Sequence, residues 1–150
     1  MKDIFTKAEF EHWCRVWRNG NIVPDADPCE IRMDEAGALV KFLEYGEESE
    51  FGWQIEHSYP EGLLKDQDFP QDLIDDYANL RPMHWRNNGS KSENYPTYRR
   101  VVTWDGTHNV DDEKEISVSE SQRKVVERLY GAGLKMNPVP KKGIMFRPKK

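Results

Sequence analysis

Two short segments of this 150-residue chain concentrate side chains able to do chemistry. The first is Glu56-His57, closing the alternating hydrophobic run Trp53-Gln54-Ile55-Glu56-His57. The second is Asn79-Leu80-Arg81-Pro82-Met83-His84-Trp85-Arg86-Asn87-Asn88-Gly89-Ser90-Lys91. His84 and Asn88 are four apart, so on a helix they share one face. A carboxylate, two imidazoles and an amide oxygen form a mixed O and N ligand set for Mg2+, Mn2+ or Zn2+ rather than for a soft metal. An imidazole left free of the metal can activate water. Each half alone is commonplace, and Trp53, Ile55, Leu80, Met83 and Trp85 read as core; the weight lies in finding both halves in one order.

That order resembles the HNH endonuclease motif of the ββα-metal fold. Gly52-Trp53-Gln54-Ile55-Glu56-His57 is followed by Asn79-Leu80, then His84-Trp85, then Asn88 nine residues after Asn79 and Lys91 three after that. Upstream, Arg32-Met33-Asp34-Glu35-Ala36-Gly37-Ala38, Tyr45-Gly46 and Ser49 before Gly52-Trp53 are similar to the lead-in of a zinc-ribbon-free branch, so the resemblance covers 32–91. It implies a metal-dependent endonuclease hydrolysing DNA phosphodiester bonds. His57 matches the general base, Glu56 and Asn88 the metal ligands, and Asn79 the residue that braces the loop behind His57. The implied cofactor is a divalent cation, Mg2+ first, with Mn2+, Ni2+ or Zn2+ as alternatives. His84 and Asn87 stand where zinc-ribbon relatives carry cysteines, so no structural zinc is expected, and His84 is either a packing residue or an extra ligand. Arg81, Arg86, Lys91, Arg99 and Arg100 are candidate phosphate contacts. The chain departs from the family in carrying Glu56 where many relatives have Asp, and in the long acidic stretch 58–78. That stretch would repel phosphate unless it folds away, binds a protein partner or restrains activity. The alternative function is a non-catalytic nucleic-acid or protein binding module on the same scaffold.

The elements that must position these residues can be read coarsely. Thr6 to Arg18 reads as a helix, with Thr6 and Glu9 as a capping box and Phe10, Trp13, Cys14 and Trp17 on one face. Ala38–Tyr45, Trp53–His57 and Arg99–Trp104 read as strands, the last closed by Asp105-Gly106. Ser58–Asp68 reads as irregular and Pro70–Tyr77 as a short helix. Pro82 suits the first turn of a helix running to about Asn88. A last helix is capped by Ser117 or Ser119, carries Val125, Val126, Leu129 and Tyr130 on its apolar side, and is ended by Gly131 and Gly133. The expected class is α+β, a small ββα-metal core flanked by N-terminal and C-terminal helices. One domain spans 1–133, with its core at about 32–104, and a basic tail spans 134–150.

Charge is divided unevenly along the chain. The net charge of −5 suggests no polyanion partner. Yet residues 33–78 hold 13 acidic and two basic side chains, whereas 79–104 is net +4 and the last ten residues carry five basic and no acidic groups. The average therefore excludes little, and DNA is the expected partner, with RNA also open. Cys14 and Cys29 are too few and too far apart for a disulfide scaffold or a cysteine-built zinc site. No apolar run approaches a membrane span and no leader follows Met1, so a cytoplasmic protein without membrane partners is expected.

Overall fold

The computed structural model describes residues 5–131. The basic tail expected over 134–150 lies outside them. The class is α+β: five helices and three small antiparallel sheets among the described residues. Helix α1 (Lys7–Trp17) starts as its sequence requires, with Thr6 Oγ1 accepting from the Glu9 amide at 3.0 Å and Glu9 accepting from the Thr6 amide at 2.8 Å. Trp13, Val16 and Trp17 are buried, while Phe10 stays 38% exposed at the edge of the stripe.

Strands β1 (Asn21–Ile22), β2 (Ile31–Met33) and β3 (Leu39–Lys41) form the first sheet. The β2–β3 turn needs Gly37, whose φ of +100° suits no side-chain-bearing residue. The strand expected over Ala38–Tyr45 stops at Lys41 and becomes a 3-10 turn, Phe42–Glu44. Its partner β2 is only three residues long, and the turn drops Phe42 between Trp17 and Trp53 while leaving Leu43 outside.

Strand β4 (Trp53–His57) pairs antiparallel with β5 (Leu80–His84), matching Trp53 to His84, Glu56 to Arg81 and His57 to Leu80. The acidic segment between them is not irregular throughout, forming α2 (Glu61–Asp66), α3 (Gln71–Ile74) and a 3-10 turn at Tyr77–Asn79. Helix α4 (Trp85–Lys91) follows β5 directly. The helix expected from Pro82 therefore begins three residues later. Pro82 biases Arg81 towards extended backbone, and β5 has only one strand neighbour, so the missing N–H is tolerated. His84 becomes the cap of α4 instead of a member of its face.

Strand β6 (Thr97–Trp104) and β7 (Asn109–Ser117) form a hairpin across Asp105-Gly106. Strand β7 has no sequence signal, because Asp111 to Glu115 is charged and exposed. It forms as the hairpin partner of β6, and its acidic row faces Arg86, Arg99 and Arg100. Helix α5 (Glu120–Tyr130) is capped by Ser119 and buries Val126 and Tyr130 against Tyr59, Leu64 and Ile74.

The β4–β5 ribbon carries two different faces. On one, Trp53 and Leu80 join Trp13, Val16, Trp17, Val40 and Phe42 in the main core. On the other, Gln54, Glu56, Arg81 and Met83 meet α4 and β6. Asn87 fixes that second layer: its Oδ1 accepts from the amides of Val101 and Val102 at the irregular step in β6, and its Nδ2 donates to Val102 O and to Asp34 Oδ2. Asn87→Ala removes four hydrogen bonds, three of them buried, and is expected to destabilise the fold by about 3 kcal/mol or more. Chemical denaturation should show this as a lower midpoint with an unchanged slope.

Candidate functional site around His57

Glu56 enters from β4 and is 3% exposed. Its Oε1 accepts from Arg81 Nε at 2.7 Å, and its Oε2 lies 2.9 Å from Lys91 Nζ. Arg81 also grips Glu35, NH1 to Oε2 and NH2 to Oε1, both at 2.8 Å. Glu35 further accepts from Tyr98 Oη and from the Ser119 amide, each at 2.7 Å. Burial alone would push Glu56 up, but Arg81 and Lys91 outweigh it and hold its carboxyl below the usual range. Neighbouring Asp34, 1% exposed, goes the other way, since burial raises it and the donors Asn87, Ala38 and His84 only partly compensate.

His57 sits beside this interior, at the strand end. The segment behind it is clamped from two sides. Asn79 accepts from the Tyr59 amide at 2.9 Å, donates back to Tyr59 O at 3.1 Å, and takes the Ser58 amide on its own carbonyl at 2.8 Å. Lys91 Nζ donates to Ser58 O at 3.0 Å and reaches His57 O at 3.4 Å. The imidazole Nε2 lies 2.8 Å from Asp75 Oδ1, and Nδ1 has no partner among the described residues. Asp75 closes α3; its slight burial would raise it, but hydrogen bonds from His57 and Gln71 hold it below the usual carboxylate range.

Glu56, His57 and Asn88 border one cleft of about 310 Å³, with Glu61 and Glu93 on its wall. Asn88 Nδ2 donates to Gln54 Oε1 at 2.7 Å, which leaves its amide oxygen without a partner among the described residues. Asn79 holds the segment after His57 through its bonds to Ser58 and Tyr59. His84 does not join the cleft. Its Nδ1 accepts from the Arg86 amide at 3.1 Å, so its Nε2 carries the proton given to Glu50 O at 2.9 Å. Both nitrogens are occupied, and burial, with Arg86 nearby, keeps the ring below its ordinary pKa despite the pull of Glu50. Of the two roles open to His84, the structure leaves it the packing one.

The phosphate-contact expectation does not fit Arg81 and Lys91, which are 7% and 0% exposed and committed to carboxylates. Arg86, Arg99 and Arg100 reach the surface but face Asp111, Glu113 and Asp112. Nor does Glu56 fit the metal ligand of the resemblance: two cations already neutralise it, and a divalent ion beside them would be repelled. Sequence reasoning missed Glu35, Asp34, Glu61 and Asp75 as members of this region. Nothing local marks them, since Asp75 lies 18 residues from His57 and Glu35 lies 46 from Arg81. No family model, curated protein or solved structure matches the chain. No described helix is long and apolar enough to cross a membrane.

Glu56→Gln removes the one carboxylate between Arg81 and Lys91 and is expected to cost about 3–5 kcal/mol, read by denaturant unfolding at neutral pH. Because Glu56 is depressed in the folded state, its contribution is present above its ordinary value of 4.5 and is lost as pH falls through the folded value. The acid side of the stability–pH curve should therefore be shallower in the variant than in wild type.

Proposed function

We propose that this chain hydrolyses phosphodiester bonds, with DNA as the substrate to test first and His57 as the general base. One observation carries the reading: His57 is aimed by a backbone clamp (Asn79 and Lys91) and by Asp75 on Nε2, while Nδ1 is left as the basic nitrogen at a cleft wall. With the proton on Nε2 directed at Asp75, Nδ1 can take a proton from water as the water oxygen attacks phosphorus. Asp75 then stabilises the imidazolium that forms, in the manner of a carboxylate behind a catalytic histidine. The resemblance implies a divalent cation that offsets charge on the phosphate and leaving oxygen. Glu56 does not fit that ion, because Arg81 and Lys91 already hold it. The expected outcome is nicking of supercoiled plasmid by the wild type with at least one of Mg2+, Mn2+, Ni2+ or Zn2+. His57→Ala should lose roughly 100-fold or more. Absence of nicking by folded wild type with every cation sinks the reading.

The second reading, a non-catalytic nucleic-acid module, draws on one further observation. The only arginines of the candidate surface that reach solvent face acidic partners on β7. Such exposed pairs are weak and can be exchanged for phosphate. Replacing Asp111, Asp112 and Glu113 together by Asn, Asn and Gln should tighten DNA binding by about tenfold and steepen its salt dependence. Fluorescence anisotropy across a salt series reads both, and binding that persists in His57→Ala without cleavage selects this reading over hydrolysis.

A further inference from the structure

We infer that the acidic 58–78 segment folds back on β4 to build a divalent transition-metal site from His57, Glu61 and Asp75. One ligand atom from each of the three lies within 4.8 Å of the others. They come from three elements: the end of β4, the first residue of α2 and the residue that closes α3. Two carboxylates and an imidazole are thus gathered where the two acids repel each other unless something positive lies between them. Gln71 supports both acids from outside, its Nε2 donating to Glu61 Oε2 at 3.1 Å and to Asp75 Oδ2 at 2.9 Å. This is the kind of outer contact that orients carboxylate ligands. Lys65, 3.3 Å from Glu61 Oε2, is the nearest competing cation, and it is half exposed and free to swing away.

The contrast with Glu56 supports the placement. The resemblance puts a cation at Glu56, yet that carboxylate lies between Arg81 and Lys91 in the interior. The three-residue cluster, by contrast, borders the open cleft at His57 and Glu61, where an ion can enter and keep water ligands. His57 needs no backbone rearrangement to serve, because Asn79 and Lys91 already fix its main chain. One imidazole nitrogen and two carboxylate oxygens suit Zn2+, Mn2+ or Ni2+ better than Mg2+, which prefers oxygen alone. The site does not depend on the hydrolysis reading and competes with it at one ring. An ion on Nε2 takes the place of its proton, and the remaining proton then sits on Nδ1, which is no longer a base.

The test is isothermal titration of Zn2+ into the full chain, with histidine ring resonances followed in parallel by NMR. The expected result is one saturable equivalent, weakened at least tenfold by Glu61→Gln and by Asp75→Asn, and unchanged by His108→Ala, which removes the exposed His108–Glu50 pair. The His57 ring signals should move on saturation while those of buried His84 stay. Both carboxylates are partly exposed, so the variants should fold, as circular dichroism can verify. No saturable binding, full affinity in both carboxylate variants, or an unmoved His57 ring overturns the proposal. Zn2+ binding with no plasmid nicking in Mg2+ alone, which leaves the His57 ring free, keeps the site standing and removes hydrolysis. Nicking without Zn2+ binding does the reverse.

Discussion

Glu35, Glu56, Arg81 and Lys91 share one nearly dry interior, and the surrounding architecture is arranged to let them. Burying ions costs several kcal/mol each unless geometry and hydrogen bonds offset it. Here the charges balance, and the remaining lone pairs of Glu35 are met by the Tyr98 hydroxyl and the Ser119 amide. Meeting that condition brings six parts of the chain together: the β2–β3 turn with Glu35, both strands of the β4–β5 ribbon, the end of α4 with Lys91, β6 with Tyr98, and the start of α5. The aromatic core under α1 supplies hydrophobic burial, but it lies on the opposite face of the ribbon and does not position these groups.

The same constraint decides where chemistry can occur. Arg81 and Lys91 read as surface cations in a basic segment, yet both are used up by Glu56. Lys91 nonetheless acts on the candidate site through the backbone, donating to the carbonyls of His57 and Ser58. Glu56 is thereby occupied, while the Nδ1 of its neighbour His57 has no partner among the described residues. The acidic segment, which in one dimension looks like an obstacle to phosphate, instead supplies Asp75 and Glu61 to His57. The β7 strand does the equivalent for the arginines, covering Arg86, Arg99 and Arg100 with carboxylates of opposite sign.

What could be read from sequence was what local rules control. The capping box at Thr6 and Glu9, the Ser119 cap and the alternation of Trp53–His57 each depend on neighbours within a few residues, and each element forms as read. The misreadings have tertiary causes. Pro82 is as suitable for an edge strand as for a first helical turn, and the pairing of Arg81 with Glu56 selects the strand. Strand β7 has poor intrinsic β character and forms through its backbone ladder with β6 and the packing of Ile116. Asp75, Glu61 and Glu35 carried no mark at all, since an isolated acid in an acidic stretch looks the same whether it faces solvent or an imidazole.

The four donors that converge on Glu35 also bear on how the molecule assembles. They come from Arg81, Tyr98 and Ser119, so the carboxylate waits for groups up to 84 residues further along the chain. During synthesis from the N-terminus, the β1–β2–β3 sheet can form early, because its pairings are local, whereas α1 must wait for Trp53 and Leu80. The charged interior cannot close until the residues that begin α5 have emerged, and until then Glu35 and Glu56 remain best served by water. Contacts of such long sequence separation are slow to form. The charged interior thus stays open until the backbone amide at residue 119 arrives to complete it.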